Sequence, residues 1–181
     1  MVAAFRPQKD QDTLVHAMTL LPKDQYILWL VGGGERKNEV EALAKNLHVE
    51  VYVKFLGLRT DVPDILKTAD FIVMSSHYEG LSLSSIEGMS VGKPFIASDV
   101  DGLHEITKDT GLLFPEGDAQ ALADIIQQLS HDPIYYQQIA DQCYARAQQY
   151  DIKKTVQEYL KVYQNLELWT NGHGSLFATS P

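Results

Sequence analysis

The sequence predicts an α/β fold: a doubly wound, parallel, six-stranded sheet with helices on both faces, followed by a helical carboxyl-terminal segment. Three observations predict it. Short apolar runs recur along the chain, segments of helical periodicity lie between them, and only helical patterns follow Asp118. Runs that are apolar on both faces are typical of parallel strands covered by helices. Such folds bind ligands outside the carboxyl ends of the strands, so function is expected in the loops there.

Six apolar runs are short enough to be buried strands. Their strict alternation with helical segments indicates right-handed crossovers between parallel neighbours. The predicted strands are residues 1–5, 26–31, 51–55, 71–74, 94–97 and 112–114.

Helices are predicted between these strands, because apolar side chains recur at helical spacing, as in residues 14–21 and 40–47. Residues typical of helix starts precede the first four helices. These starts are Asp10 and Asp12, the glycines 32–34, Asp61 with Pro63, and residues 82–85.

We interpret residues 1–168 as one domain and residues 169–181 as a flexible tail. Helical patterns at residues 122–129, 136–147 and 156–163 complete the domain. The terminal sequence TNGHGSLFATSP is rich in small and polar residues and has no periodicity.

Composition excludes several classes of protein. The net charge of -9, from 15 basic and 24 acidic residues, argues against nucleic-acid binding. Cys143 is the single cysteine, so no intramolecular disulfide forms, and the first residues lack a secretory apolar region. The longest apolar run is far below the roughly 20 residues that a membrane-spanning helix needs. We therefore expect a cytoplasmic protein without a transmembrane segment.

The first three predicted loops offer cations and glycines. Arg6 and Lys9 lie near a helix start, where they suit a phosphate or diphosphate; alternatively both are solvated turn residues. The glycines 32–34 allow close approach of a ligand, match neither a dinucleotide fingerprint nor a P-loop, and alternatively form a tight turn. Arg59 can stack on a planar base or pair with an anion, and alternatively it pairs with Asp61.

The fourth loop carries the most information, because Glu79 and Glu87 lie eight residues apart across a loop-to-helix junction. The intervening amides, flanked by small residues, would form an anion-binding helix start. Such a site could take a polyol with one carboxylate, a diphosphate with the amides and a second hydroxyl pair with the other carboxylate. The alternative for Glu87 is a capping box with Ser84, which has no ligand role.

The fifth loop and the remaining reactive side chains carry weaker signals. Asp99 or Glu105 could bind sugar hydroxyls, although capping and solvation explain them almost as well. No spacing matches a zinc motif, so we expect no metal site. Cys143 lies on an apolar helical stripe, so we expect a buried inert thiol.

Five segments together resemble the carboxyl-terminal domain of the family 4 retaining glycosyltransferases. The two-glutamate motif from Glu79 to Glu87 is the most specific of their markers, and the similarity runs from Met1 to about Tyr163. The segments are VAAFRPQKD, LVGGGE, FLGLRTDVPDIL, ADFIVMSSHYEGLSLSSIEGMSVGKPFIASDVDGLHEI and GLLFPEGD.

The resemblance implies the GT-B architecture, in which two Rossmann-like domains face each other across a cleft. The carboxyl-terminal domain holds most of the nucleotide-sugar donor, and the amino-terminal domain supplies the acceptor site. This chain would then be half of an enzyme, and the amino-terminal domain would be its missing partner.

The resemblance also implies roles for individual residues. Lys9 would neutralise the donor diphosphate, Glu79 would be the catalytic residue that binds sugar hydroxyls near the reacting carbon, and Glu87 would accept from the ribose hydroxyls. Arg59 and its loop would lie by the base. The implied donor-binding set also includes Arg6, Gly33, Gly80, Leu81, Ser82, Leu83 and Ser84.

The reaction implied is transfer of a hexosyl group from a nucleoside-diphosphate sugar, such as a UDP sugar, to an unknown acceptor with retention of configuration. We expect no cofactor and no metal, no turnover by this chain alone, and a cytoplasmic location that the missing domain could extend to a membrane surface. The alternatives are a noncatalytic nucleotide-sugar-binding module and a fragment of a GT-B sugar-nucleotide epimerase.

Two positions depart from the family pattern. Ala4 stands where members commonly carry an Arg, five residues before the loop Lys, and Arg6 is the neighbouring residue that could replace it. Asp101 stands where a glycine is frequent, which affects the contacts of the fifth loop.

Overall fold

The computed structural model describes residues 1–80 and 82–172, which form two compact units, Met1–Ala147 and one that begins at Gln148. In the first unit strands and helices alternate as predicted. The strands are β1 (Leu28–Val31), β2 (Val53–Gly57), β3 (Ile72–Met74), β4 (Phe95–Ser98) and β5 (Leu112–Phe114). The helices are α1 (Gln11–Leu20), α2 (Lys37–Asn46), α3 (Val62–Thr68), α4 (Leu83–Ser90), α5 (Leu103–Thr107), α6 (Ala119–His131) and α7 (Pro133–Ala147). A short 3-10 helix, Pro7–Lys9, precedes α1.

The strands form two parallel sheets, β1-β2 and β3-β4-β5. Every position of β3 and of β4 is buried, which means that this sheet is covered on both faces. Helix α1 packs against α2 and α6, and α4 packs against α7. The predicted α/β class with parallel strands is confirmed.

The predicted single six-stranded sheet is not what the structure shows, since the described residues form five strands in two sheets. Residues 1–5 run beside β1 through one bridge, between Val2 and Val31, and the Ala3 and Phe5 amides donate to the Val31 and Gly33 carbonyls at 2.9 Å each. The Arg6 amide then turns back to the Ala4 carbonyl at 3.0 Å. This local turn ends the pairing after Phe5.

The glycines after β1 allow residues 1–5 to lie close to the backbone that follows β1. A Cβ on Gly32 would lie 2.1 Å from the Ala3 carbonyl oxygen, and one on Gly34 would lie 2.4 Å from that of Phe5. Only residues without a side chain fit there. The prediction that these glycines open the second helix is wrong by a few residues, because α2 begins at Lys37.

Three other helix starts are confirmed. Asp10 caps α1, and its carboxylate accepts from the Thr13 amide at 3.3 Å and the Thr13 hydroxyl at 2.6 Å. Asp61 precedes α3, which has a proline in its first turn, and Ser82 precedes α4. These residues therefore mark where the loops at the carboxyl ends of the strands end and the helices begin.

Helix α7 buries Cys143 completely, and burial raises the pKa of its thiol to about 11. The sulfur lies 3.4 Å from the Thr110 carbonyl oxygen, to which it donates. The expected buried thiol is therefore present, and at neutral pH it is protonated.

The second unit contains a 3-10 helix, Gln148–Tyr150, and the helix α8 (Ile152–Gly172). Most of the predicted flexible tail, residues 173–181, lies outside the described residues, and the predicted domain limit at residue 168 stays a prediction. Among the helices that the structure describes, none combines the length and the apolar character needed to cross a membrane.

Candidate functional site

Two loops meet at the carboxyl ends of the strands, the one after residues 1–5 and the one after β3. The Ser75 hydroxyl donates to the Asp10 carbonyl at 2.7 Å, and the His77 amide donates to the Gln8 carbonyl at 2.8 Å. The loops are thus tied together by hydrogen bonds from residues that follow β3. This is the edge at which doubly wound sheets bind ligands.

The centre of this edge is an ion pair between Lys9 and Glu79, whose side chains are 17% and 9% exposed. The Lys9 ammonium donates to Glu79 Oε1, and the Ser76 hydroxyl donates to the same oxygen at 2.8 Å. The sequence placed these two candidates in separate loops, and the structure brings them together. A cation and a carboxylate that share one enclosed position can address adjacent anionic and hydroxyl groups of a ligand.

The end of β4 and the loop that follows it contact the segment that carries Glu79. The Ser98 hydroxyl donates to the Ser76 carbonyl at 2.5 Å. Gly102 has a φ of +82°, and a Cβ there would lie 2.2 Å from the Glu79 carbonyl oxygen. The main chain of Glu79 therefore rests directly on the backbone at Gly102.

Helix α4 begins at Leu83, four residues after Glu79. Ser82 precedes the helix with extended backbone and no side-chain cap, while the Ser85 and Ile86 amides donate to its carbonyl. The amides of Leu83 and Ser84 have no intrahelical partner by the geometry of a helix start. The side of Gly80 on which a Cβ would lie is open, with nothing within 4 Å of that position. Leu81, also predicted in the site, lies outside the described residues.

Glu87 is the fifth residue of α4 and is exposed. The capping-box alternative is wrong, because the residue before the helix is Ser82, so Ser84 and Glu87 both lie inside α4. Within residues 1–80 and 82–172 no hydrogen bond to its carboxylate is recorded. The structure thus removes the structural explanation for this carboxylate.

The cationic candidates other than Lys9 lie outside the centre. Arg6 is exposed. Arg59 donates to both carboxylate oxygens of Asp61, at 2.8 and 2.6 Å, and its hydrogen bonds hold the pKa of Asp61 below its usual range. The pairing that the sequence left as the alternative is therefore present. Gly33 faces the exposed side chain of Leu58, which a Cβ would meet at 3.4 Å.

Sequence reasoning missed the residues that hold the centre in place. Ser75, Ser76 and Ser98 are fully buried, and they directly follow or end buried strands. A second pair joins the loops after β3 and β5, where His77 Nδ1 lies 2.6 Å from Glu116 Oε1. Small hydroxyl residues at the end of an apolar run were the signal available in the sequence.

Metal-ligating side chains do not converge in the described part of the chain, where no group of three or more His, Cys, Asp and Glu is suited to hold an ion.

Two cavities lie at the opposite edge, near the amino ends of β1 and β3. Their volumes are about 360 and 520 Å³, and Tyr26 and Phe71 line both. Trp29 and Met18 line the first, so its wall is mainly apolar and holds no ion pair like that of Lys9 and Glu79. Charge and open backbone amides instead meet at the carboxyl edge, which makes that edge the better candidate site.

Comparison with known proteins identifies the family. The model of the glycosyl transferases group 1 family matches residues 1–149, and the chain belongs to that family. The EpsD protein of Bacillus subtilis (strain 168) is 33% identical over 165 residues, which are 89% of this chain and 43% of EpsD.

Solved structures agree with the family. Anabaena HepE, crystallised in complex with UDP-glucose, superposes with a TM-score of 0.81 at 29% identity, over 89% of this chain and 47% of HepE. Sucrose-phosphate synthase from Thermosynechococcus elongatus gives 0.82 at 30% identity, over 92% of this chain and 44% of that one. The fold is that of GT-B glycosyltransferases, and the chain spans a little less than half the length of these relatives.

Proposed function

We propose that this chain is the nucleotide-sugar-binding domain of a retaining glycosyltransferase that takes a hexosyl group from a UDP sugar. The observation that carries the proposal is the enclosed pair of Lys9 and Glu79, followed four residues after Glu79 by the uncapped start of α4. HepE, with which the chain shares 29% identity, was crystallised with UDP-glucose, and this supports the choice of UDP among the nucleotides.

Lys9 and the start of α4 would bind the donor diphosphate. The ammonium supplies a full positive charge, and the free amides of Leu83 and Ser84 add the positive end of the helix dipole. Open space at Gly80 lets phosphate oxygens approach the backbone. These groups would stabilise the charge that develops on the departing nucleoside diphosphate. We therefore expect the transfer to need no metal.

The two glutamates would hold the two ends of the donor. Glu79 lies next to the cation that would hold the diphosphate, so its carboxylate is within reach of the hydroxyls of the transferred sugar. Glu87, on the second turn of α4, would accept from the ribose hydroxyls. Arg59 and Gly33 would then lie towards the base, with Arg6 at the outer side of the diphosphate.

Retention of configuration would follow from a front-face reaction. The leaving phosphate departs from the same face that the acceptor attacks, and it helps to remove the acceptor's proton. The acceptor site belongs to the half of the enzyme that these residues do not include, so we expect donor binding without turnover. A cytoplasmic location at the site of polysaccharide assembly is part of the same proposal.

Calorimetric titration with UDP, GDP and UDP-glucose tests the proposal. We expect saturable binding of UDP and UDP-glucose, and a loss of affinity of about ten- to hundredfold in Lys9→Ala, because a charge-assisted contact to phosphate is removed. Lys45→Ala is the matched control, since that exposed lysine lies in the last turn of α2, at the other end of the helix from the glycine loop. Binding of GDP in place of UDP would refute the choice of base, and absence of all binding would refute the donor site.

A further inference from the structure

Two adjacent serines follow β3, and their hydroxyls serve different halves of the site. The Ser75 hydroxyl donates to main-chain carbonyls of the Lys9 loop, at 2.7 Å to Asp10 and 3.2 Å to Lys9. The Ser76 hydroxyl donates to the Glu79 carboxylate at 2.8 Å. Successive side chains of an extended segment point in opposite directions, which accounts for the division.

The hydrogen bond from Ser76 matters because Lys9 and Ser76 donate to the same oxygen of Glu79. Glu79 Oε1 accepts from both Lys9 and Ser76 in the structure. When a diphosphate takes the Lys9 ammonium, the carboxylate loses its cation while its side chain remains only 9% exposed. A carboxylate in so enclosed a position needs a remaining donor, and Ser76 is the one that stays bonded to it.

Ser76 is itself held against displacement. Its side chain is fully buried, and its carbonyl accepts from Ser98 at 2.5 Å. The next residue, His77, is fixed through its amide to Gln8 at 2.8 Å. The hydroxyl of Ser76 is therefore presented to Glu79 from main chain that is anchored on two sides.

We propose that Ser76 is the positioning residue that keeps the Glu79 carboxylate directed at the donor sugar once the diphosphate has taken Lys9. Ser75 has the corresponding role for the Lys9 loop, and so acts on the diphosphate. This inference rests on the proposed donor site, and it deepens that proposal by assigning recognition of the sugar and of the diphosphate to separate supports.

The test measures the ratio of the affinities for UDP-glucose and UDP in the full chain. We expect Ser76→Ala to lower this ratio by about three- to tenfold, the worth of one hydrogen bond, because the carboxylate is then no longer directed at the sugar hydroxyls. Ser75→Ala is the matched control, since it removes an equally buried hydroxyl one residue away. We expect it to weaken both ligands equally and to keep the ratio.

The outcomes separate the inference from the function on which it rests. An unchanged ratio in Ser76→Ala, with UDP still bound, overturns the positioning role and leaves the donor site intact. A wild-type chain that binds UDP and UDP-glucose equally also overturns it, because no sugar contact then needs support. A wild-type chain that binds neither ligand refutes the proposed function instead.

Thermal melting establishes that each variant is folded. If Ser76→Ala does not fold, Ser98→Ala replaces it, because that change removes the bond to the Ser76 carbonyl and leaves the hydroxyl in place. The same selective loss of the ratio is expected, and an unchanged ratio again counts against the inference.

Discussion

The interior and the rim of the carboxyl edge are organised differently. In the interior, Lys9 and Glu79 are paired and enclosed, Ser76 donates to Glu79, and Ser98 at the end of β4 donates to Ser76. At the rim, Glu87 is exposed on α4, and Arg59 pairs with its neighbour Asp61 with both side chains more than 40% exposed. Both regions contain residues that the sequence had marked as candidates.

The difference teaches which charges the fold arranges before a ligand arrives. Loops from distant parts of the chain converge on the interior, so its side chains have fixed partners and little freedom. Rim side chains are solvated, and their pairs are weak and easily exchanged. Interior variants should therefore affect both stability and donor binding, whereas rim variants should affect binding alone.

The largest effect is expected from Gly102→Ala. The added Cβ would lie 2.2 Å from the Glu79 carbonyl oxygen and 2.7 Å from that of Gly80, so the loop carrying Glu79 must move. We expect the free energy of unfolding to fall by about 3–4 kcal/mol and binding of UDP-glucose to be lost. Urea denaturation and calorimetry measure the two effects.

Gly92→Ala is the control for the backbone conformation. Gly92 has a φ of +69°, but nothing lies within 4 Å of a Cβ there. Its substitution should cost only the conformational penalty of about 1–2 kcal/mol. Equal losses at the two glycines would show that contact with the Glu79 loop contributes nothing.

The next largest effect on stability is expected from Glu79→Ala, compared with Glu87→Ala. Glu79→Ala leaves the Lys9 ammonium and the Ser76 hydroxyl without their partner, so we expect a loss of about 1–3 kcal/mol in the free energy of unfolding. Glu87→Ala removes an exposed carboxylate and should change it by less than about 0.5 kcal/mol. Both should weaken donor binding. A Glu87 variant that loses stability but keeps its affinity for UDP would reverse the assignment.

The smallest effect concerns the rim pair. Hydrogen bonds from Arg59 hold the pKa of Asp61 below its usual range, so the pair stabilises the fold above the ordinary aspartate pKa and ceases to do so as the pH falls through the lowered one. Arg59→Gln should raise the pKa of Asp61 towards its ordinary value without a measurable change in Tm. NMR titration of the Asp61 carboxyl measures this. An unchanged pKa would mean that the ion pair is not formed in solution.

Prediction from sequence succeeded where the signal is local. The apolar runs at β3, β4 and β5 and the helix starts at Asp10, Asp61 and Ser82 are found within one or two residues of their expected places. Strand burial and helix capping depend on neighbouring residues, so a single sequence contains enough information. The family resemblance likewise rests on motifs of contiguous residues, and the match over residues 1–149 confirms it.

Prediction failed where the answer depends on a partner distant in the chain. Residues 1–5 have the composition of a strand and are hydrogen-bonded alongside β1, but their only bridge to it among the described residues is that between Val2 and Val31, and the turn at Arg6 ends the pairing. The capping box at Glu87 fits the local pattern, yet α4 begins one residue before Ser84.

The sequence by itself determined the class of fold, the family and the loops in which charged groups would lie, because periodicity, capping and contiguous motifs are properties of neighbouring residues. Only the tertiary structure decided that Lys9 and Glu79 share one enclosed position, with Ser76, Ser98 and Gly102 behind them. These residues come from three separate parts of the chain and meet only because parallel strands end at the same edge of the fold. Their energies depend on burial and on hydrogen-bond geometry, which exist only after the chain has packed.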